Sequence, residues 1–238
     1  MKQDNQQNLP ETEAAPQPVK LIEGLALAGL VAALLSLFLF AKLASEMREG
    51  ETASFDNAVR GWVHHFASPG MTQAMKFISL LGYDILLVEL AIAILIFLRI
   101  GWRRAAIWLS VTMAGSVLLD VALKQVFHRH RPLPYFGDAP HSYSFPSGHA
   151  LSSFCFYGVL AGLIVDRVER LSVRIAVGLL AAVLVLAIGI SRIYLGVHYP
   201  SDVVAGYVAA AMWVGTMLVV DHVGTRAVKH VVRRRKQS

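Results

Sequence analysis

The chain has 238 residues, of which 55% are hydrophobic and only 16% are charged, and its mean hydropathy is +0.54. Soluble domains carry about 25% charged residues, so this composition excludes an ordinary soluble protein and indicates a single helical domain in a membrane. The net charge of +6 does not indicate nucleic-acid binding, because the basic residues alternate with apolar runs and form no single patch.

The first element is a polar segment, residues 1–20, which is predicted to be a disordered cytoplasmic tail. An apolar run over residues 24–41 follows it. A cleaved signal peptide is the alternative interpretation, but the polar leader is long, and Lys42 and Leu43 do not fit a cleavage site of small residues. We therefore expect a retained transmembrane helix, since about 20 apolar residues span a bilayer.

Five more apolar runs follow, over residues 77–98, 105–123, 150–165, 175–190 and 203–220. Lipid offers no water to the backbone, so each run is expected to be helical. The predicted fold is an all-α bundle of six transmembrane helices over residues 21–222, with a basic cytoplasmic tail over residues 223–238. The single cysteine, Cys155, lies inside the fourth run and excludes a disulfide within the chain, so it is interpreted as a packing residue.

A segment between the first two runs has amphipathic character. Apolar residues recur there at helical spacing: Phe55, Val59, Trp62, Val63 and Phe66. The faces between them carry polar residues: Asp56, Asn57, Arg60 and His64. This pattern predicts an extracytoplasmic amphipathic helix in the membrane interface. A helix that caps the bundle is the other interpretation.

The orientation of the bundle follows from its lysines and arginines. If the N-terminus lies in the cytoplasm, most of these residues fall on the cytoplasmic side, which is the arrangement that the positive-inside rule favours. Both termini are then inside.

Three polar clusters then lie on the opposite, outer side. They are Lys124 with Arg131-Pro132, then Pro146-Ser147-Gly148-His149, then Ser191-Arg192 with His198 and Asp202. An even number of crossings separates the second cluster from the third, and the first is at the outer end of the third run. All three are therefore expected at one depth, where they can form one site.

The residue types in these clusters suit a phosphate group. Lys124, Arg131 and Arg192 are three cations at a membrane boundary without a matching number of acids, and such uncompensated charges usually mark a functional site. Arginine offers a fork that matches phosphate oxygens. Ser147 can begin the fourth helix and hold an anion there, and Gly148 lets that anion approach the backbone.

The histidines supply reactive groups. Asp202 lies four residues after His198 and can hold one ring nitrogen, which leaves the other nitrogen free to attack. His149 can donate a proton to the leaving oxygen. Each motif alone is more often structural, and only their combination indicates chemistry. A zinc site from His128, His130 and His141 is the weaker alternative, since their spacing defines no helix face.

Three acids in the apolar runs need partners. Asp120 precedes Lys124 by four residues, so the two share a helix face and are predicted to pair, with Asp120 aiming the ammonium at the phosphate. The alternative is that Asp120 is a structural hydrogen-bonding residue. Asp84 and Glu89 have no evident partner in the sequence.

These motifs resemble those of the type 2 phosphatidic acid phosphatase superfamily, which also includes the vanadium-dependent haloperoxidases. Lys124, six residues and Arg131-Pro132 match its first motif, Pro146 to His149 match its second, and Ser191-Arg192, five residues, His198, three residues and Asp202 match its third. No motif position departs from the family. A haloperoxidase is disfavoured, because those enzymes are soluble and this chain is a membrane bundle.

The resemblance implies a role for each residue. His198 is the implied nucleophile that becomes phosphorylated, Asp202 orients it, and His149 is the general acid. The phosphate oxygens are bound by Lys124, Arg131, Ser147, Gly148 and Arg192. No metal and no cofactor are implied.

The function predicted in this way is hydrolysis of a lipid phosphate or diphosphate in a bacterial inner membrane, with the site facing the periplasm or exterior. Undecaprenyl diphosphate is slightly favoured as the substrate, with phosphatidate and phosphatidylglycerophosphate as alternatives. A lipid phosphotransferase would use the same site. A non-enzymatic membrane protein or transporter is disfavoured, because every residue needed for turnover is present.

Overall fold

The computed structural model describes residues 18–138 and 140–235, and within them the side chains of residues 27–138 and 140–223. In chain order the helices are α1 (Pro18–Glu49), α2 (Ala53–His65), α3 (Pro69–Leu80), α4 (Leu86–Arg99), α5 (Arg103–Phe127), α6 (Gly148–Ser153), α7 (Val159–Val165), α8 (Leu171–Tyr194) and α9 (Pro200–Arg235). A π-helical segment, Phe154–Gly158, joins α6 to α7. The described part contains no strand, as predicted.

The predicted tails lie mostly at the edges of this region. Residues 1–17 of the N-terminal tail are outside the described residues, and α1 begins at Pro18, so the last three residues of that predicted tail are helical. α9 continues into the predicted basic tail and ends at Arg235.

Five segments are long and apolar enough to cross a membrane: Leu27–Glu49, Arg103–Phe127, Gly148–Val165, Leu171–Tyr194 and Pro200–Val223. Their outward faces carry large apolar side chains such as Leu35, Leu118 and Leu180, each more than half exposed. Apolar side chains in such numbers on the outside of helices suit lipid, since an α-helix already satisfies its own backbone there. The protein is therefore a membrane protein, as its composition predicted.

The predicted six-span count is not confirmed, because the second run is not one helix. α3 ends at Leu80 and α4 begins at Leu86, and neither is as long as a candidate span. The break contains Gly82, and glycine is a poor helix former. The Tyr157 hydroxyl donates a hydrogen bond to the Leu81 carbonyl (3.0 Å), which satisfies a backbone group that the break leaves unpaired.

α3 and α4 together nevertheless run from one end of the bundle to the other. At one end, the Ser68 amide before α3 donates to the Tyr194 hydroxyl at the end of α8 (3.3 Å). At the other end, Trp102 after α4 lies under the guanidinium of Arg167, which precedes α8, at 4.6 Å. The polypeptide therefore changes ends between Ser68 and Trp102.

The predicted amphipathic helix is α2, and its packing resembles the capping interpretation. Phe55, Trp62 and Phe66 are more than half exposed, whereas Val63 is buried. The acid Asp56 is fully buried and bonds to the start of α9. The predicted extracytoplasmic position of this helix stays a prediction.

Candidate active site

The start of α9 fixes the first two residues of the site. Pro200 is the first residue of the helix, where its fixed backbone angle suits helix initiation. Asp202 is the third residue of the helix, and its side chain reaches back to accept a hydrogen bond from the Tyr199 amide (2.8 Å). The side chain at this helical position makes the same bond in a capping box. The carboxylate is thereby held beside His198, which stands two residues before the helix.

His198 is almost fully buried and lies in contact with Asp202. Its Nδ1 is 3.4 Å from Asp202 Oδ2, and the Ser144 hydroxyl donates to the same oxygen at 2.5 Å. Burial lowers the pKa of His198 to about 3, although Asp202 opposes this effect. The ring is therefore neutral at neutral pH. A tautomer that donates Nδ1–H to Asp202 leaves Nε2 with a lone pair.

Arg131 faces that second nitrogen. Its Nη1 lies 2.9 Å from His198 Nε2 and also donates to the Val197 carbonyl at 2.8 Å. The remaining donors bond to Ser142 and to the Tyr143 carbonyl, so the loop holds the guanidinium in place. Burial lowers the pKa of Arg131 from its usual 12.5, and the nearby carboxylates of Asp202 and Asp120 oppose that shift.

The start of α6 lies against the same cluster. The Ser147 amide donates to the Asp202 carbonyl at 2.9 Å. A Cβ at Gly148 would lie 2.9 Å from Asp120 Oδ2, so glycine permits the close approach of this backbone to Asp120. His149 stacks on the Tyr83 ring, with 5.3 Å between ring centroids.

The remaining two cations complete the cluster. Lys124 donates to Asp120 at 2.8 Å, and both side chains are nearly buried, which confirms the predicted pairing. Arg192 donates to the Ser79 hydroxyl of α3. Arg192 also interacts electrostatically with Arg131 and with Asp84, one of the acids for which the sequence offered no partner.

Four side-chain atoms of this cluster are buried without a hydrogen-bond partner in the protein: Asp120 Oδ1, Ser147 Oγ, His149 Nε2 and Arg192 Nε. Buried polar atoms are almost always paired in folded proteins. Hydroxyl and guanidinium groups supply donors here, so the arrangement can bind an anion with several acceptor oxygens.

The structure brings all eight predicted site residues to one end of the bundle: Lys124, Arg131, Ser147, Gly148, His149, Arg192, His198 and Asp202. The predicted zinc alternative finds no support, since no three His, Cys, Asp or Glu side chains assemble as metal ligands anywhere in the described residues. His128 packs edge-on against Tyr143 instead.

Several residues of the site are not identifiable as site residues from the sequence alone. Ser144 and Arg129 lie in the loop between α5 and α6, and both bond to Asp202. Their only signal in the sequence is that they are polar residues close to the motifs. Ser79 and Asp56 come from α3 and α2 and have no local signal. Glu89 Oε2 lies 2.7 Å from the Tyr157 hydroxyl, which gives this acid a hydrogen-bonding partner.

A cavity of about 910 Å³ opens beside the cluster. Its lining residues include Gly70, Gln73, Lys76, Phe77, Ser79 and Leu195. Because Ser79 bonds to Arg192, this cavity adjoins the cation cluster from the side of α3.

The sequence and the fold match known proteins. Residues 105–223 match the model of the PAP2 superfamily. Phosphatidylglycerophosphatase B of Bacillus subtilis is 33% identical over 72% of this chain and 86% of its own length. The undecaprenyl-diphosphatase of Sulfolobus acidocaldarius is 30% identical over 61% of this chain and 68% of its own length.

A solved structure gives the same result. The crystal structure of a transmembrane PAP2-type phosphatidylglycerolphosphate phosphatase from Bacillus subtilis has a TM-score of 0.70 and 27% identity, covering 82% of this chain and 96% of that one. With the motif residues gathered at one end of a helical membrane bundle, this chain belongs to the PAP2 superfamily of membrane lipid phosphatases.

Proposed function

We propose that this protein hydrolyses the terminal phosphate of a membrane lipid through a phosphohistidine at His198. One observation carries the proposal: a buried, neutral histidine is held by Asp202 on one nitrogen and faces Arg131 on the other. A neutral imidazole nitrogen is a nucleophile, and a neighbouring guanidinium can neutralise the phosphoryl oxygens that it attacks.

The reaction has two steps. In the first, His198 Nε2 forms a bond to phosphorus while the bond from phosphorus to the lipid oxygen breaks, and His149 gives its proton to that oxygen. Arg131 then hydrogen-bonds to a phosphate oxygen in place of Nε2. In the second, water attacks phosphorus, His149 takes a proton from that water, the P–N bond breaks, and inorganic phosphate leaves.

Lys124, Arg192, Ser147 and the backbone at Gly148 bind the phosphate oxygens in this proposal. Together with Arg131 they supply the positive charge that a divalent ion would otherwise bring to the phosphate. We therefore expect turnover to persist in EDTA and to be inhibited by vanadate, which mimics a five-coordinate phosphoryl group.

The lipid is proposed to reach the cations through the cavity beside Ser79. The sequence slightly favours undecaprenyl diphosphate as the substrate. The relative matched over the larger share of this chain is a phosphatidylglycerophosphatase, as is the solved relative, and this favours phosphatidylglycerophosphate. Undecaprenyl diphosphate stands second, supported by the relative from Sulfolobus acidocaldarius.

Phosphate release by purified protein tests the proposal, with phosphatidylglycerophosphate, undecaprenyl diphosphate and phosphatidate compared by kcat/KM with and without EDTA. His198→Ala should reduce phosphate release by more than about 1,000-fold, because replacing one of several catalytic residues that act as a unit removes nearly all activity. The exposed loop residue His130 supplies the control, since His130→Ala should retain wild-type activity. Full activity of His198→Ala would contradict this mechanism, and activity lost in EDTA and restored by magnesium would contradict metal independence.

A further inference from the structure

Arg129 joins two buried carboxylates behind the predicted nucleophile. It follows the end of α5 by two residues, and its side chain is only 14% exposed. Nη1 lies 2.6 Å from Asp202 Oδ1, and Nη2 lies 2.8 Å from Asp56 Oδ2. Its guanidinium also stacks on the Tyr199 ring at 4.0 Å. The geometry of the arginine fork therefore connects α2 to α9 through two ion pairs.

Asp56 is bound at both oxygens. Oδ1 accepts a hydrogen bond from the Ser201 amide (2.9 Å), and Oδ2 accepts one from the Ser201 hydroxyl (2.7 Å) as well as from Arg129. A buried carboxylate is tolerated only when it is paired and hydrogen-bonded in this way. Asp56 thus holds the first turn of α9, the turn that carries Asp202.

Neither side chain belongs to the proposed phosphate-binding set. Within the described part of the chain, the side-chain hydrogen bonds of Asp56 and Arg129 go to one another, to Asp202, to Ser201 and to Thr52. Any effect of these contacts on the reaction therefore passes through Asp202 and the first turn of α9 that carries it.

We propose that Asp56 and Arg129 are positioning residues for the reaction, which hold Asp202 so that its second oxygen faces His198. Arg129 occupies Asp202 Oδ1, which leaves Oδ2 for His198 Nδ1, the Ser144 hydroxyl and the Tyr199 amide. This inference rests on the proposed function, to which it adds the support of the His198–Asp202 pair.

Charge gives the pair a second effect. Two carboxylates and one guanidinium sum to a charge of −1 beside the neutral ring of His198. The imidazole becomes cationic as its Nε2 bonds to phosphorus, and fixed opposite charge in a dry site stabilises such a developing charge. Arg129 alone would cancel the charge of Asp202, and Asp56 restores it.

The test measures kcat, KM and thermal stability for Asp56→Asn and Arg129→Gln, with the lipid that the wild-type protein hydrolyses fastest. We expect kcat to fall about 10- to 100-fold with KM unchanged, because misplacement of a reacting group affects turnover and neither residue contacts the substrate. One control is Asn57→Ala, on the exposed face of α2. The other is Arg60→Gln. Arg60 lies 5.4 Å from the same Tyr199 ring as Arg129 but forms no ion pair with Asp202. Both controls should keep the wild-type kcat.

A double-mutant cycle separates positioning from a merely structural role. If Arg129 acts through Asp202, then Arg129→Gln should add less than about a twofold loss of kcat in an Asp202→Asn background. Should Arg129→Gln fail to fold, Arg129→Lys keeps the charge but not the fork, and it should have a kcat between those of the wild type and Asp56→Asn.

Wild-type kcat in a folded Asp56→Asn or Arg129→Lys protein would overturn the inference, as would additive losses with Asp202→Asn. Absence of phosphate release by the wild-type protein from every lipid tested would instead contradict the proposed function itself.

Discussion

At the level of single residues, the ion pair of Asp120 and Lys124 lies where it can contribute to turnover. The ammonium is fixed at 2.8 Å from Asp120, whose carboxylate also lies against the Gly148 backbone. Lys124 is thereby held next to the start of α6, where the proposed phosphate site lies.

Asp120→Asn should lower kcat about 10-fold or more while the melting temperature changes little, because the helix remains and only the direction of the lysine is lost. Combined with Lys124→Ala, the two losses should be non-additive. The control is Glu46→Gln, which breaks the exposed pair of Lys42 and Glu46 (3.7 Å) in α1 and should leave kcat unchanged. Normal turnover of Asp120→Asn would favour a structural role for this acid.

At the level of elements, α9 supports the site through its contact with α6. A Cβ at Gly206 would lie 2.6 Å from the Ser147 carbonyl and 2.9 Å from the Ala150 Cβ. The two helices can therefore approach this closely only with glycine at that position.

Gly206→Ala should force α9 away from Ser147, destabilise the protein by about 1–3 kcal/mol and reduce kcat together with the melting temperature. Gly178→Ala is the matched control, since a Cβ there meets nothing within 4 Å, and a glycine replaced by alanine in a helix should stabilise by up to about 1 kcal/mol. Equal thermal stability of the two variants in detergent would show that α9 and α6 tolerate separation here.

At the level of the whole molecule, the two ends of the bundle must face different compartments. Asp138 is exposed in the loop at the site end, and Glu169 is exposed in the loop between α7 and α8 at the opposite end. The basic residues predict that the site end faces the exterior.

Labelling with an impermeant thiol reagent tests this orientation in a Cys155→Ala background, which removes the buried native thiol. Asp138→Cys should react in intact cells, and Glu169→Cys should react only after the membrane is permeabilised. The reverse pattern would place the active site in the cytoplasm.

Much of this arrangement was predictable from the sequence. Long apolar runs predicted the helices, because a helix satisfies its own backbone hydrogen bonds where lipid offers no water. The spacing of the motifs and the number of membrane crossings between them predicted that Lys124, His149 and His198 lie at one end. The Asp120–Lys124 pair was predictable as well, since spacing by four residues places two side chains on one helix face. These features depend on local geometry or on counting crossings.

The rest was decided by tertiary structure. The break between α3 and α4 lies inside an apolar run, and hydropathy does not reveal a turn whose free carbonyl is satisfied by Tyr157, far along the chain. The sequence pattern indicates only that Asp56 is one polar residue of an amphipathic helix, yet Asp56 is fully buried against Ser201 and Arg129. Composition and spacing identify the groups that can carry out the chemistry, whereas the partners that bury, orient and balance them come from distant segments and depend on how the helices pack.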